Sequence, residues 1–205
     1  MSKINDLIKQ YCPNGVEYRE LGDIASFSQG LQVGVEEQHA EPFEGSIRFL
    51  RIIDFMDSNE PIRYIKRPDE KYIKEENELI MIRYGSPGRV FLKYSGAIAN
   101  NMFKIQVLSA GVNIKYLYYY LASPKIQNQI YASSGKSTMP SIKFADVKKI
   151  KAPIPPISIQ EEIVHILDKF TELEKELEKE LEKRKQQYGY YRDKLFDFTE
   201  RLGNE

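Results

Sequence analysis

The sequence predicts a mixed α/β head over residues 1–150, then a proline-rich connector and one long helix over residues 151–205 that needs a second helix to cover it. Three observations carry this prediction. Short apolar runs between Ile47 and Val107 are separated by Gly, Pro and Asn, the punctuation of strands and turns. Apolar residues recur at helical spacing in Ile4–Ile8 and again between Ile114 and Ile130. From Ser158 onward the chain is highly charged yet keeps an apolar seam with a seven-residue repeat.

Taken in order, residues 3–11 read as a short helix. Strand-like runs follow at Ile47–Asp54, Ile62–Ile65, Leu79–Arg83, Val90–Lys93 and Met102–Val107, whereas the polar stretch Gln29–Gly45 has no clear period and reads as a long loop. Asn113 is placed to cap a helix through Ile114, Leu117, Tyr118 and Leu121. Ser123-Pro124 opens a second helix carrying Ile126 and Ile130. A polar run, Ser133 to Thr138, leads to Pro140. Lys151–Ser158, with Pro153, Pro155 and Pro156, reads as a stiff connector. Ser158 with Glu161 three residues on reads as the capping box of the long helix.

That helix is the most informative element. In a heptad frame set from Leu167, the inward positions are Leu167, Phe170, Glu174, Leu177, Leu181, Arg184, Tyr188, Tyr191, Leu195, Phe198 and Leu202, nine of eleven being apolar. A triple Glu-Leu-Glu-Lys repeat over Glu172–Lys183 supplies strong helix formers. Ser158 to Leu202 would span roughly 65 Å at about 1.5 Å per residue. An isolated helix that is mostly polar is marginal in water, and the N-terminal helix is too short to cover this seam. A solitary helix held by Glu–Lys pairs, such as Glu172–Lys175, is the plainer alternative, at about 0.3 kcal/mol per pair. Apolar residues that persist beyond the Glu/Lys tract argue for pairing with another chain. Glu174 and Arg184 at inward positions lower stability but fix register or antiparallel orientation.

Composition sets the remaining bounds. Twenty-four Phe and Tyr residues suffice for a core, and 30 Lys and Arg balance 30 Asp and Glu. Cys12, the single cysteine, allows no internal disulfide, which fits a reducing compartment. The first residues lack the apolar run of a signal peptide, and no 18-residue apolar stretch occurs, so a cytoplasmic protein is expected. The charge balance hides a segregation. No acidic residue lies between Glu78 and Asp146, where Arg83, Arg89, Lys93, Lys104, Lys115, Lys125, Lys136 and Lys143 stand. Such a segment suggests a surface turned toward a polyanion, unless residues 36–78 supply its acidic neighbours.

Catalytic motifs are not visible. Gly135-Lys136-Ser137 lacks the glycine of a P-loop, since Ile130 stands five positions earlier, and it follows a helix rather than a strand. His39 and His165 are far apart in sequence, and with one cysteine they support neither a zinc site nor a Cys/His nucleophile. Pro68-Asp69-Glu70-Lys71 has the residue types of nuclease metal sites, but its compressed spacing reads as a solvated turn. Pro155-Pro156 follows Ile154 and so lacks the Asn/Asp-Pro-Pro-aromatic loop of DNA amino-methyltransferases. The chain is not expected to be an enzyme.

Several phrases, in order, resemble the specificity (S) subunit of type I restriction–modification systems. They are Cys12-Pro13-Asn14-Gly15-Val16-Glu17-Tyr18 with Leu21-Gly22-Asp23-Ile24, Ile47–Asp54, the turn Tyr84-Gly85-Ser86-Pro87-Gly88-Arg89, Gly135–Pro140, and Ile154-Pro155-Pro156-Ile157 with Gln160-Glu161-Glu162-Ile163. The resemblance implies a target-recognition domain followed by a spacer helix that forms an antiparallel coiled coil. Such subunits usually carry two of each. It therefore implies either a half-size subunit acting as a homodimer or the first half of a longer chain. An isologous pair would read a gapped palindrome, and two different halves an asymmetric bipartite site.

What the resemblance implies for function is a non-catalytic reader of double-stranded DNA. Its partners would be adenine-N6 methyltransferase subunits and an ATP-dependent restriction subunit, with S-adenosylmethionine and ATP/Mg bound there and no cofactor on this chain. For base-edge reading the residue types favour Gln29, Gln32, Tyr84, Ser86, Arg89, Asn100 and Asn101. For phosphate positioning they favour Arg51, Arg83, Lys104, Lys136, Ser137 and Thr138, with Gly85, Gly88 and Gly135 allowing close backbone approach. The dimerisation set is Leu167, Phe170, Leu177, Leu181, Tyr188, Tyr191, Leu195, Phe198 and Leu202. A scaffold that displays an α/β head on a coiled coil, without DNA contact, is the alternative from another class.

Overall fold

The computed structural model describes residues 2–56, 59–134 and 140–198, and the chain divides into two compact units, Met1–Val164 and His165–Glu205. Within the first unit the elements run α1 (Ser2–Tyr11), β1 (Tyr18–Glu20), α2 (Leu21–Ile24), β2 (Ala25–Gln29), β3 (Ser46–Leu50), β4 (Arg63–Lys66), β5 (Ile73–Lys74), β6 (Leu79–Ile82), β7 (Val90–Phe91), β8 (Gly96–Ile98), β9 (Met102–Val107), α3 (Ile114–Ala122), α4 (Pro124–Ser133), α5 (Phe144–Lys148) and β10 (Lys151–Pro153). Helix α6 (Ile157–Phe196) begins in the first unit and supplies most of the second.

Strand β6 organises the head. Its four residues, Leu79-Ile80-Met81-Ile82, are all fully buried, because successive side chains of a strand point to opposite faces and each face here meets a core. Leu79 and Met81 join Phe103 and Ile105 of β9 in a core shared with α2, α3, α4 and α5. Ile80 and Ile82 join Met102, Phe49, Leu50 and Ile98 in a second core. One antiparallel sheet, ordered β2-β9-β6-β7, therefore lies between helices on one face and a second sheet, ordered β4-β3-β8-β5, on the other. The second sheet is mixed, since β3 pairs parallel with β8. An uninterrupted apolar run in the sequence is the mark of this doubly buried position.

Local chemistry accounts for the helix starts, with one correction. Asn113 caps α3 as expected, its side chain accepting from the amides of Lys115 and Tyr116 at 2.9 and 3.2 Å. Pro124 sits in the first turn of α4, where its missing N–H costs nothing. Ser158, expected to cap the long helix, instead lies inside it. The Pro156 carbonyl accepts from the amides of Ile159 and Gln160, so the helix is already under way when the chain reaches Ser158.

The connector is corrected as well. Lys151–Pro153 forms β10 and pairs antiparallel with β1, and Tyr116 and Tyr120 donate their hydroxyls to the carbonyls of Pro153 and Lys151 at 2.8 and 2.6 Å. Burial pushes the Tyr116 hydroxyl up to about 12. Gln160 is fully buried in the first turns of α6. Its amide nitrogen donates to Gly111 and Pro155, and its oxygen accepts from the Asn113 amide. With Ile159 and Val164 also buried, the opening turns of α6 belong to the head.

Strand Ile47–Asp54 is shorter than expected, because Ile52–Phe55 turns into a 3-10 helix closed by Asp54, which accepts from the Arg51 amide. Strands β1, β2, β5, β8 and β10 were absent from the expectation. Of these, only β2 carries a readable signal, the alternation of Ala25 and Phe27 with Ser26 and Ser28. In the second unit, Leu167 is half-buried and Phe170, Leu177, Leu181, Tyr188, Tyr191 and Leu195 are exposed along α6. The helix ends at Phe196, so Phe198 lies just beyond it, and Leu202 lies outside the described residues. No described helix is long and apolar enough to cross a membrane.

Candidate functional site

The pairing registers bring most of the predicted base- and phosphate-contacting residues to one end of the central sheet. Strand β2 ends at Gln29, opposite Phe103, while β6 ends at Ile82, opposite Met102 at the start of β9. Residues that leave or enter at this end are Gln29–Gln32, Arg83–Arg89 and Asn100-Asn101. In the second sheet β3 and β8 end side by side, Leu50 beside Ile98, and the Ala99 amide donates to the Leu50 carbonyl, which puts Arg51 at the same end.

Two hydrogen-bonded groups form there. Gln29 donates to the Asn100 carbonyl at 3.3 Å, and the Asn100 side chain donates to the Gln32 side-chain oxygen. The Gln32 and Asn100 carboxamides are thus bonded to each other, and that of Gln29 to the Asn100 backbone. Beside them, the Arg83 amide donates to the Asn101 carbonyl at 2.8 Å, and its guanidinium lies 4.8 Å from the Tyr84 ring centroid. Tyr84 bridges to Ser141, while Arg89 is exposed and touches the Met56 sulfur at 3.2 Å. Asn101 buries a side-chain oxygen that has no partner in the structure. Gly135, Lys136, Ser137 and Thr138 lie outside the described residues.

Three of the predicted contacts are turned to structural use. Lys104 follows Phe103 in β9 and so points to the opposite face, toward the second sheet. Its ammonium donates to the Ile73 carbonyl at 2.6 Å and stands 3.4 Å from Glu78, both side chains being nearly buried. Arg51 pairs with Asp54 and donates to the Pro61 carbonyl at 2.8 Å, which anchors the 3-10 turn. Gly88 lies at φ +92°, and a Cβ there would stand 2.3 Å from Cγ2 of Ile130, so this glycine serves packing against α4. Gly85, at φ +85° with open space around it, answers to turn geometry alone.

The Glu78–Lys104 pair shows how the acidic stretch before residue 79 balances part of the basic segment after it. Lys74 lies in the same region, fully buried, its ammonium donating to the carbonyls of Glu75, Leu92 and Tyr94 at 2.7, 3.2 and 2.7 Å. Burial lowers it to about 8, against the raising influence of Glu78. Among the remaining bases of the segment, Arg89, Lys93, Lys115, Lys125 and Lys143 are exposed. No group of three or more His, Cys, Asp or Glu among the described residues is arranged to hold a metal ion.

Sequence reasoning missed α4 as a neighbour of this end. Gln127 donates to the Gly88 carbonyl at 2.8 Å, and a groove of about 290 Å³ between the Gly85–Arg89 turn and α4 is lined by Ser86, Arg89, Gln127, Asn128 and Tyr131 among others. The available signal was periodicity. Ile126 and Ile130 face the core, which leaves Asn128 and Tyr131 on the outer side.

Residues 13–183 match the family model described as the type I restriction modification DNA specificity domain. A Haemophilus influenzae protein assigned as a type I restriction enzyme specificity subunit is 32% identical over 90% of this chain and 47% of its own length. The MjaVIII specificity subunit of Methanocaldococcus jannaschii is 26% identical over 78% of this chain and 37% of its own length. The chain thus spans half or less of the length of these relatives. Among solved structures, a chain from a study of complex assembly and conformational transition in the type I system matches with TM-score 0.73 at 15% identity, covering 96% of this chain and 51% of that one. The S subunit from M. genitalium matches with TM-score 0.59 at 20% identity, over 90% of this chain and 47% of that one. These likenesses show the fold, an α/β domain with a long C-terminal helix.

Proposed function

Since the chain belongs to the family of type I restriction–modification DNA specificity domains, we propose that its head reads one half of a bipartite, gapped site in double-stranded DNA. The observation that carries this reading is the convergence of three carboxamides and two arginines, Gln29, Gln32, Asn100, Arg83 and Arg89, on one end of one sheet. Arg pairs bidentately with guanine, and Asn or Gln with adenine, in the major groove. Exposed lysines along the segment after Glu78 supply the sequence-independent attraction to phosphate.

In this reading the chain is not an enzyme and carries no cofactor. It directs adenine-N6 methyltransferase subunits, which bring S-adenosylmethionine, and an ATP- and Mg-dependent restriction subunit, in the cytoplasm. The domain organisation follows suit, with a reading head and a spacer helix. The apolar residues exposed along α6, Leu177 and Leu181 among them, pair antiparallel with the same helix of a second copy or of a second half.

Co-expression with the cognate methyltransferase subunit, followed by single-molecule mapping of N6-methyladenine across the host genome, tests this. A methylated gapped palindrome that depends on this chain supports recognition and two-fold pairing together. An asymmetric bipartite motif assigns the second half-site to a different head. A stable complex that adds no methylation refutes the recognition role.

A further inference from the structure

We infer that α4 forms part of the DNA-reading surface and that Asn128 and Tyr131 are specificity-determining residues for a base-pair edge held against the Gly85–Arg89 turn. The inference rests on the recognition role proposed above and adds to it a helix outside the predicted contact residues.

The first argument is rigidity. Gly88 sits against Ile130 so closely that a side chain at 88 has no room, and Pro87 and Gly88 are both buried. The Gln127 side chain then ties α4 to the turn, its nitrogen donating to the Gly88 carbonyl at 2.8 Å and to the Leu121 carbonyl of α3 at 2.7 Å. The turn and the helix are therefore two walls of one fixed groove. A recognition site needs that fixity, because hydrogen bonds to base edges discriminate only when donors and acceptors are held in place.

The second argument is chemical. Arg89 is the one cation lining the groove among the described residues, and the other polar groups are the hydroxyls of Ser86 and Tyr131 and the carboxamides of Gln127 and Asn128. A phosphate cradle gathers cations and backbone amides. Carboxamides, hydroxyls and a single arginine are the set that reads base edges. The two donors of Gln127 are taken by carbonyls, which leaves Asn128 and Tyr131 as the helix's donors to the groove. Both are exposed, on the side of α4 away from Ile126 and Ile130. A helix side and an adjacent turn present together are shapes the major groove admits.

The test uses the full chain in complex with its cognate methyltransferase subunit and a duplex library of randomised sequence. Wild type is compared with Asn128→Ala and Tyr131→Phe, and with Gln129→Ala, which alters α4 outside the groove. The inference expects Asn128→Ala to lower the preference at one or two adjacent positions of each half-site by about tenfold or more, with the other positions unchanged. Gln129→Ala should select the wild-type motif. Tyr131→Phe removes only a hydroxyl and gives the same readout should Asn128→Ala fail to fold. Unchanged preferences at every position overturn the inference and leave the recognition role standing. So does a uniform loss of affinity across all sequences with the salt slope unchanged, which marks an uncharged contact to the backbone rather than to a base edge. If the wild-type complex itself selects no sequence, the recognition role fails and this inference with it.

Discussion

Gln160→Met removes one buried amide that holds three backbone groups at once, and the cost follows from the partners it leaves. The Pro155 carbonyl, bonded at 2.7 Å in a fully buried contact, loses its donor with no water to replace it. The Gly111 carbonyl and the Asn113 amide, each at 2.8 Å, lie in partly buried contacts where solvent recovers some of the loss. At about 1 kcal/mol for each of the latter and about 2 for the former, less about 1 for no longer burying an amide, the net loss is about 3 kcal/mol. Methionine is unbranched and of similar length, so cavity formation adds little. The corresponding fall in Tm is roughly 6–12 °C for a protein of this size. The assay is a urea titration followed by the near-UV signal of the tyrosines, since the chain has no tryptophan. Gln129→Met, on the exposed part of α4, is the control. A midpoint for Gln160→Met within about 0.5 kcal/mol of wild type would refute the claim that the opening turns of α6 are locked to the head through this side chain.

Three further outcomes are expected. Gly85→Ala costs about 1 kcal/mol for its positive φ alone, whereas Gly88→Ala costs at least about 2 because Ile130 also blocks the added methyl; equal losses in paired denaturation curves would refute the packing role of Gly88. Lys104→Met lowers stability by leaving the Glu78 carboxylate without its cation, yet leaves the salt slope of DNA binding unchanged; a shallower slope in a fluorescence-anisotropy titration would restore Lys104 as a phosphate contact. For Lys74, burial puts the folded-state value near 8, below the ordinary 10.5, so the unfolded chain binds the proton more tightly between those values. The folded state therefore carries a penalty below pH 8 that disappears as the pH rises to 10.5. Wild type should gain on the order of 3 kcal/mol relative to Lys74→Met between pH 7 and pH 10.5, read from urea midpoints, and a pH-independent difference would contradict the burial argument.

Legibility followed the range of the interaction that fixes each feature. The Asn113 cap and Pro124 are local devices acting within one helical turn, and both stand where the residues indicated. The apolar run Leu79–Ile82 was legible as a strand, although what covers its two faces was not, since one core is built with helices from elsewhere in the chain and the other with the second sheet. Strands β5 and β8 are two and three residues long and exist because β3 and each other hold them in register. Ser158 misled because the cap pattern is satisfied by residue type alone, while the fold starts the helix at Ile157 to seat Ile159 and Gln160.

In the candidate site, residue chemistry by itself picked out carboxamides, arginines and the glycine turn, and the order of its phrases picked out the family. Tertiary structure decided which of those groups face outward. Lys104 and Arg51 are cations by sequence, but strand alternation and a nearby carboxylate turned each of them inward. Gly88 reads as a backbone-approach glycine until Ile130, 42 residues later, is brought against it. Asn128 and Tyr131 became candidates only through the groove that packing created. The α/β head, the long helix and the family were legible in the residues alone, because local propensity, periodicity and motif order are properties of neighbouring residues. Which of the candidate groups face outward emerged with the tertiary structure, because facing and burial depend on contacts between residues far apart in the chain.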